Sequence, residues 1–149
     1  MTVDIVNLQK KIKIETNDLR TFCRRLTGEV LESGGRTFSV AFVDDARMRQ
    51  LNEAFRGKGA TTDVLSFPFD GEPFELLPPA DAGGSAFLGD IVISAEQAQK
   101  QAAENYLTLD GEINQLILHG LLHLCGYDHE TDNGEMNERE LELRETLGI

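Results

Sequence analysis

The spacing of apolar residues along the chain predicts five helices and four strands. In the first helix, Leu19, Cys23 and Leu26 recur at the spacing of one helix face. Residues that favour helix ends delimit the helices, because Ser, Thr, Asn and Asp suit N-caps and glycine suits the C-terminal end. The predicted helices run from Thr16 or Asn17 to Gly34-Gly35, from Asp44 or Asp45 to Gly57, from a capping box of Ser94 and Gln97 to Tyr106, over about 110–125, and over about 133–147.

Alternating apolar residues predict the strands. The first begins near Val3, and the others cover 36–42, 63–67 and 89–94. Pro68 should end the third strand, because proline lacks the N–H that a sheet needs. Residues 70–86 hold three prolines and three glycines, which predicts a long surface loop that could act as a mobile flap.

The order of these elements predicts the fold class. Strands come first and helices mostly later, which favours an α+β protein with one small sheet of about four strands packed with about five helices. A length of 149 residues fits a single domain over 1–149. The pattern leaves the strand order open.

The charge is unevenly distributed, which changes what a net charge of −12 implies. Residues 1–60 carry a net +3 and residues 61–149 a net −15. The first part holds three basic clusters: Lys10, Lys11 and Lys13; Arg20, Arg24 and Arg25; and Arg47, Arg49, Arg56 and Lys58. They are either ordinary solvated side chains or a basic face that binds phosphates, and composition supports both interpretations.

The chain is expected to be cytoplasmic, without a membrane partner. Its first residues lack the apolar stretch of a signal peptide, and the most apolar segment, 113–125, is too short and too polar to span a bilayer. Cys23 and Cys125 lie far apart and form no CxxC motif, which fits free thiols in a reducing compartment.

All three histidines of the chain lie within eleven residues, "HGLLHLCGYDH", 119–129. On a helix, His119 and His123 are one turn apart and separated by roughly 40° around the axis, so both can reach one metal ion. Gly126 can end the helix with a left-handed turn and return His129 towards them. A single histidine is usually a satisfied polar residue, but three at this spacing predict a catalytic metal site with an open fourth position.

Zinc, one ion per chain, is the predicted cofactor because imidazole suits it, although ligand type leaves nickel, copper and iron open. Cys125 follows His123 by two positions and should point away from the metal. Asp128 is either an orienting partner for an imidazole or a turn residue. The spacing also matches the zinc-protease pattern H-E-x-x-H-x-x-G-x-x-H, but Gly120 stands where those enzymes have their glutamate base, which disfavours a protease.

Three segments together resemble the YbeY family of bacterial metal-dependent endoribonucleases, also called rRNA maturation factors. "HGLLHLCGYDH" resembles the family motif H-G-x-L-H-L-x-G-Y-D-H, and "LNEAFRGKGATTDVLSFPF", 51–69, and "LGDIVIS", 88–94, agree with two further segments. The departures are mild: Phe55 where tyrosine is frequent, and Gly59 and Thr61 where an acidic residue and a proline are common.

The resemblance implies roles for four residues. His119, His123 and His129 correspond to the family's zinc ligands, and Arg56 to the arginine regarded as essential for RNA cleavage. A guanidinium there could bind two phosphate oxygens and stabilise a pentacoordinate transition state, or could simply pair with the C-terminus of its own helix. Lys58 could assist phosphate binding, and Thr62 and Asp63 could either support the site or hold their loop.

The resemblance also implies a mixed sheet and a role in small-subunit ribosomal RNA maturation and ribosome quality control, with single-stranded RNA, ribosomal RNA and ribosome-associated factors as partners. We therefore expect a zinc-dependent, single-strand-specific endoribonuclease in which metal-bound hydroxide or a ribose 2′-hydroxyl attacks phosphorus. Two alternatives stay open: a metalloprotease-like hydrolase of altered mechanism, and a non-catalytic ribosome-assembly factor with a structural metal.

Overall fold

A computed structural model describes residues 3–69 and 87–149 of the chain. The strands are β1 (Asp4–Asn7), β2 (Thr37–Val43), β3 (Val64–Pro68) and β4 (Phe87–Ser94), and the helices are α1 (Thr16–Glu29), α2 (Asp45–Arg56), α3 (Ala95–Glu104), α4 (Leu109–Leu124) and α5 (Glu135–Leu147). A short 3-10 helix, Leu31–Ser33, follows α1. The predicted α+β class is confirmed, whereas the loop and flap predicted at 70–86 lie outside the described residues.

The four strands form one mixed sheet in the order β1-β2-β4-β3. β1, β2 and β4 are parallel, and β3 pairs antiparallel with β4. In this register Ile5 lies opposite Val40, and Val40 lies opposite Ile91. The apolar side chains of the two long central strands therefore line up across the sheet and form a continuous surface for helices to cover.

The two faces of the sheet support cores of different size. The larger core joins the sheet to α1, α3, α4 and α5 and contains the fully buried Phe42, Ile91 and Ile117. The smaller core lies on the other face, where Met48 and Leu51 of α2 pack with Val92. α4 is the central helix of the larger core, and apolar residues are buried around most of its circumference. α2 and α4 thus pack on opposite faces of one sheet.

Several predicted helix ends are wrong. α1 ends at Glu29 rather than continuing to Gly34, because Val30 leaves the helical conformation and is itself completely buried. Leu31, which lies within the predicted helix, instead begins the 3-10 helix and is 78% exposed. The N-cap of α1 is Glu15, without a side-chain hydrogen bond, rather than Thr16 or Asn17.

The capping box predicted at Ser94 and Gln97 is half correct. The Ser94 hydroxyl accepts from the backbone N–H of Gln97, as a cap should. The Gln97 amide instead donates to Asp45, and the Ser94 N–H donates to the carbonyl of Asp63. Contacts from α2 and from the residue before β3 therefore replace the reciprocal local bond.

Gly120 lets α4 approach the sheet closely. A Cβ at this position would lie 2.9 Å from Cγ2 of Ile91 and 3.1 Å from Oγ of Ser66. The Ser66 hydroxyl donates to the Gly120 carbonyl at 3.2 Å. Any side chain at position 120 would push α4 away from β3 and β4.

We expect Gly120→Ala to lower the free energy of unfolding by about 1–3 kcal/mol, because a methyl group must displace buried neighbours. Gly28→Ala is the matched control, since Gly28 lies in α1 with nothing within 4 Å of its Cβ position. That change should raise stability by up to about 1 kcal/mol through helix propensity. Urea unfolding of both variants makes the comparison, and an equal effect at both positions would contradict the close approach.

Candidate metal centre

The histidine segment begins on α4 and continues into the turn that ends it. His119 and His123 lie one turn apart on α4, and their Nε2 atoms are 3.2 Å apart. After the helix, the N–H of Gly126 bonds to the carbonyl of His123 and the N–H of Tyr127 to that of Leu122, which is a Schellman motif. Gly126 has a φ of +105°, which only glycine adopts without strain. This turn returns the chain towards the helix.

The turn brings His129 beside the other two imidazoles. One ligand atom from each of His119, His123 and His129 lies within 4.8 Å of the others. Zinc–nitrogen bonds of about 2.0–2.1 Å at a tetrahedral angle place two nitrogens about 3.3 Å apart. The distance between the two Nε2 atoms on α4 fits that value, so the three side chains could hold one metal ion.

Both helical imidazoles are oriented through their Nδ1 atoms. The Nδ1 of His119 lies 2.6 Å from a carboxylate oxygen of Glu140, and that of His123 lies 3.0 Å from the backbone carbonyl of Tyr127. A carbonyl can only accept, so Nδ1 of His123 carries the proton and Nε2 keeps its lone pair. This arrangement directs a free Nε2 lone pair towards the shared point, as metal-binding histidines require.

Glu140 is a buried carboxylate, and α5 positions it against His119. Its second oxygen accepts from Nη2 of Arg144 at 2.6 Å. Burial raises the pKa of Glu140, but the hydrogen bond and charge of His119 and the charge of Arg144 outweigh it and lower the pKa overall. Glu140 therefore stays ionised and holds the His119 ring in one orientation.

The Tyr127 carbonyl is held in place by a second set of contacts. The Tyr127 hydroxyl donates to Glu32 at 2.8 Å, and Arg139 of α5 donates two hydrogen bonds to the same carboxylate. The hydrogen bond from Arg139 is the main cause that lowers the pKa of Glu32 to about 2. The His123 ring is thus connected, through Tyr127, to the 3-10 helix and to α5.

The pKa of His123 is lowered, first by burial and then by the neighbouring His119. A lowered pKa keeps the imidazole neutral near pH 7, which is the form that binds a metal.

The structure distinguishes between the two interpretations of Asp128, as an orienting partner for an imidazole or as a turn residue. Its carboxylate accepts from the backbone N–H of Glu130 at 3.0 Å, so it is a turn residue. The orienting carboxylate is Glu140, which the sequence analysis missed. Glu140 lies 21 residues after His119 in a helix that also holds Glu138 and Glu142, and no local signal distinguishes it. Cys125 packs against the core and is outside the cluster, as predicted.

Arg56 lines the same cavity as the three histidines. The cavity has a volume of about 600 Å³, and its wall includes Ser66 of β3 and the Thr62-Asp63 segment before it. Arg56 is the last residue of α2, and Gly57 follows with a φ of +68°. The arginine makes no hydrogen bond or ion pair to the described residues, which leaves its guanidinium available to a ligand.

The other residues considered near the site have clearer structural roles. The Thr62 hydroxyl donates to Asp63, and the same Asp63 oxygen accepts from the N–H of Val64, so this pair shapes the start of β3. Lys58 is absent from the cavity wall. Phe55 of α2 is 53% exposed and contacts Phe67 edge to face.

The fold and the site define a small α+β protein with a three-histidine cluster suited to one metal ion at the end of a buried helix. The family model described as "Endoribonuclease YbeY" matches residues 4–148, and the chain belongs to this family.

Individual relatives agree over most of the chain. It is 41% identical to Endoribonuclease YbeY of Nautilia profundicola over 92% of this chain and 86% of that protein. It is also 41% identical to Endoribonuclease YbeY of Desulforamulus reducens, over 100% and 99% of the two chains. The solution structure of a Thermotoga maritima protein matches with a TM-score of 0.62 and 28% identity, over 97% of this chain and 88% of that one. Among the described residues, no helix is both long and apolar enough to cross a membrane.

The geometry predicts metal binding that depends on all three histidines. We expect the purified protein to bind about one equivalent of zinc, and His123→Ala to lose it. Removing the metal should lower the melting temperature, because an ion that binds only the folded state stabilises it. Elemental analysis and thermal melts provide the measurement, and full metal retention by His123→Ala would exclude this site.

Glu140→Gln should weaken metal binding by about 10- to 100-fold, because an amide holds His119 less firmly than a carboxylate. Glu138→Gln on the exposed part of the same helix is the control and should bind as the parent does. Competition with a chromogenic chelator measures both affinities. Equal affinities in the two variants would show that Glu140 does not position the ligand.

Proposed function

We propose that this protein is a zinc-dependent, single-strand-specific endoribonuclease that acts in small-subunit ribosomal RNA maturation and ribosome quality control. The observation that carries the proposal is the presence of Arg56 and the three histidines in the wall of one open cavity. The names of the relatives support the RNA substrate, and the family supports a single domain that contains the whole site.

In this proposal, His119, His123 and His129 hold the metal ion. The ion would supply Lewis-acid activation, either of a phosphate oxygen or of the attacking hydroxyl or water. The protein contributes by orienting the imidazoles, through Glu140 for His119 and the Tyr127 carbonyl for His123. The described cavity wall otherwise contributes Asp63, Asp128 and Glu130 as carboxylates, and the proposal needs no separate general base.

Arg56 is proposed to bind the phosphate at which cleavage occurs. It lies at the end of a helix anchored in the smaller core, so its backbone is fixed while its exposed side chain is unpaired within the described residues. A guanidinium can donate two parallel hydrogen bonds to phosphate oxygens and stabilise the extra charge of the transition state.

A protease is disfavoured by the position of residue 120 as well as by its identity. Gly120 faces Ile91 and Ser66 at the helix–sheet contact. A glutamate introduced there would have to enter the packed contact between α4 and the sheet. The site therefore offers no room for the base that the protease pattern requires.

The basic clusters divide into paired and unpaired side chains. Arg25 donates to the carbonyls of Thr146 and Leu147 and thereby caps α5, and Lys11 pairs with Glu96. Arg20 and Arg24 are exposed on α1 and four positions apart, so they share one helix face. We propose that these two arginines, with Arg56, contribute to RNA binding.

The proposed location is the cytoplasm, and the proposed partners are ribosomal RNA and ribosome-associated factors. Burial raises the pKa of Cys23 to about 12 and is the largest cause that raises that of Cys125 to about 11. Both thiols therefore stay protonated and unreactive, which agrees with free cysteines in a reducing compartment.

Arg56→Ala should keep the fold and the metal and reduce RNA cleavage by about 100- to 1000-fold, the usual loss for one transition-state donor. Arg56→Lys should recover little, because an ammonium group cannot reproduce the two-point contact. Single-turnover cleavage of a single-stranded ribosomal RNA fragment is measured beside metal content and melting temperature.

Parent-like cleavage by Arg56→Ala with the metal intact would contradict the role of Arg56. If a metal-free sample also cleaves as fast as the parent, the activity is a contaminant, and the non-catalytic assembly factor becomes the better interpretation.

Arg20→Glu combined with Arg24→Glu should weaken RNA binding and reduce its dependence on salt. Each phosphate contact releases counterions when RNA binds, so a complex with fewer contacts releases fewer of them. Asp18→Lys on the same helix is a useful counterpart and should strengthen binding if RNA passes this face. Fluorescence anisotropy at several salt concentrations measures both. An unchanged affinity and salt slope would show that RNA approaches elsewhere.

A further inference from the structure

A second cavity adjoins the first at His119. Its volume is about 490 Å³, which is within the range of small-molecule sites. The two cavities share Asp63, Val64 and His119. A nucleotide whose phosphate lies beside the histidines could therefore place its base in this second cavity. The remaining wall comes from α3, the α3–α4 turn, α4 and Arg144 of α5.

One wall of the second cavity is rich in hydrogen-bond acceptors. Glu112 is only 4% exposed, and both of its oxygens accept from the amide of Asn105 at 3.3 Å. With its amide oriented to satisfy its neighbours, Gln101 donates to Glu112 and to Asp63 at 3.1 Å each. An ionised carboxylate offers about four acceptor sites, so Glu112 and Asp63 keep acceptor capacity for a ligand.

Arg144 adds donors to the same cavity. It uses Nη2 to bond Glu140, and its buried Nε makes no hydrogen bond among the described residues. A guanidinium has five N–H groups in one plane, so further donors are available. The cavity thus combines a buried carboxylate with a fixed guanidinium.

We propose that the second cavity binds a guanine base of the RNA, in the nucleotide next to the phosphate that is cleaved. This inference rests on the proposed endoribonuclease function and names the substrate feature that its site recognises. The Watson–Crick edge of guanine presents one acceptor, O6, beside two donors, N1–H and the 2-amino group. Glu112 and Asp63, which line the cavity together, can accept from the two donors while Arg144 donates to O6.

The other bases and a phosphate fit this cavity less well. Uracil offers one N–H between two carbonyl acceptors, and adenine and cytosine place a ring acceptor next to their amino group. Each of these arrangements turns a lone pair towards the carboxylate and leaves a buried polar group without a partner, which is costly. A phosphate would meet the carboxylate of the buried Glu112, which lines only the second cavity.

The rim of the cavity also favours an RNA ligand. Tyr106 lies between Asn105 and Leu107, both of which line the cavity, and its side chain is 97% exposed. Its φ of +57° belongs to the Schellman motif that ends α3, in which the N–H of Tyr106 bonds to the carbonyl of Ala103 and the N–H of Leu107 to that of Ala102. Exposed aromatic rings are the usual platforms on which single-stranded RNA stacks its bases.

The first test measures binding without relying on cleavage. The four nucleoside monophosphates and inosine monophosphate are titrated into the parent, Glu112→Gln and Glu104→Gln, with nuclear magnetic resonance shifts as the readout. Glu104 is exposed at the end of α3 and absent from the cavity wall, so Glu104→Gln is the matched control.

We expect guanosine monophosphate to bind the parent and the control at least about 10-fold more tightly than the other three nucleotides. Inosine monophosphate, which lacks the 2-amino group, should bind about 5- to 10-fold more weakly than guanosine monophosphate. Glu112→Gln should lose the preference. Because the inosine comparison uses the parent alone, the proposal is testable even if Glu112→Gln fails to fold.

The second test uses a randomised single-stranded RNA, and the ends of the products are sequenced. Guanosine should be enriched at one fixed position beside the cut for the parent and the control, and the enrichment should fall in Glu112→Gln. Metal-dependent cleavage without any base preference, together with equal binding of the four nucleotides, overturns the guanine site and leaves the endoribonuclease intact. Selective guanosine monophosphate binding without RNA cleavage supports the pocket and counts against the proposed endoribonuclease.

Discussion

The close contact between α4 and the sheet is the constraint on which the site depends. Gly120 allows the helix backbone to lie against Ile91 and to accept a hydrogen bond from Ser66. Because the helix is fixed at this point, the residues on either side of Gly120 in the same helix are fixed with it. His119 and His123 thereby keep a constant position relative to the β3 end of the sheet, near which Arg56 lies.

The second half of the chain is acidic overall, and individual charged residues in it position the side chains of the site. Glu140 orients His119, and Arg139 and Arg144, two of the three basic residues after position 60, pair with the carboxylates of Glu32 and Glu140. These contacts couple α5 to the metal centre. Loss of α5 packing should therefore affect metal affinity as well as folding stability, because the same residues contribute to both.

The two adjoining cavities differ in the side chains that line them. The cavity at the histidines contains Arg56, which is unpaired within the described residues and is proposed to bind a phosphate, whereas the second cavity contains the buried Glu112 and is proposed to bind a base with several donors. His119 borders both. In the proposed complex, the reacting phosphate and the neighbouring base would therefore lie on either side of one imidazole, and a fixed geometry of this kind favours catalysis.

The sequence by itself determined the number and type of the helices and strands and the histidine cluster, because these depend on local spacing. Helical periodicity and the position of Gly126 are sufficient to bring His119, His123 and His129 together. Only the tertiary structure identified Glu140 as the orienting carboxylate and showed that Asp128 is a turn residue. It also revealed the second cavity around Glu112. These features join residues from α3, α4 and α5 and the segment before β3, which are distant in sequence. Local sequence cannot distinguish one glutamate of an acidic helix from another, because only packing decides which of them is buried against a particular partner.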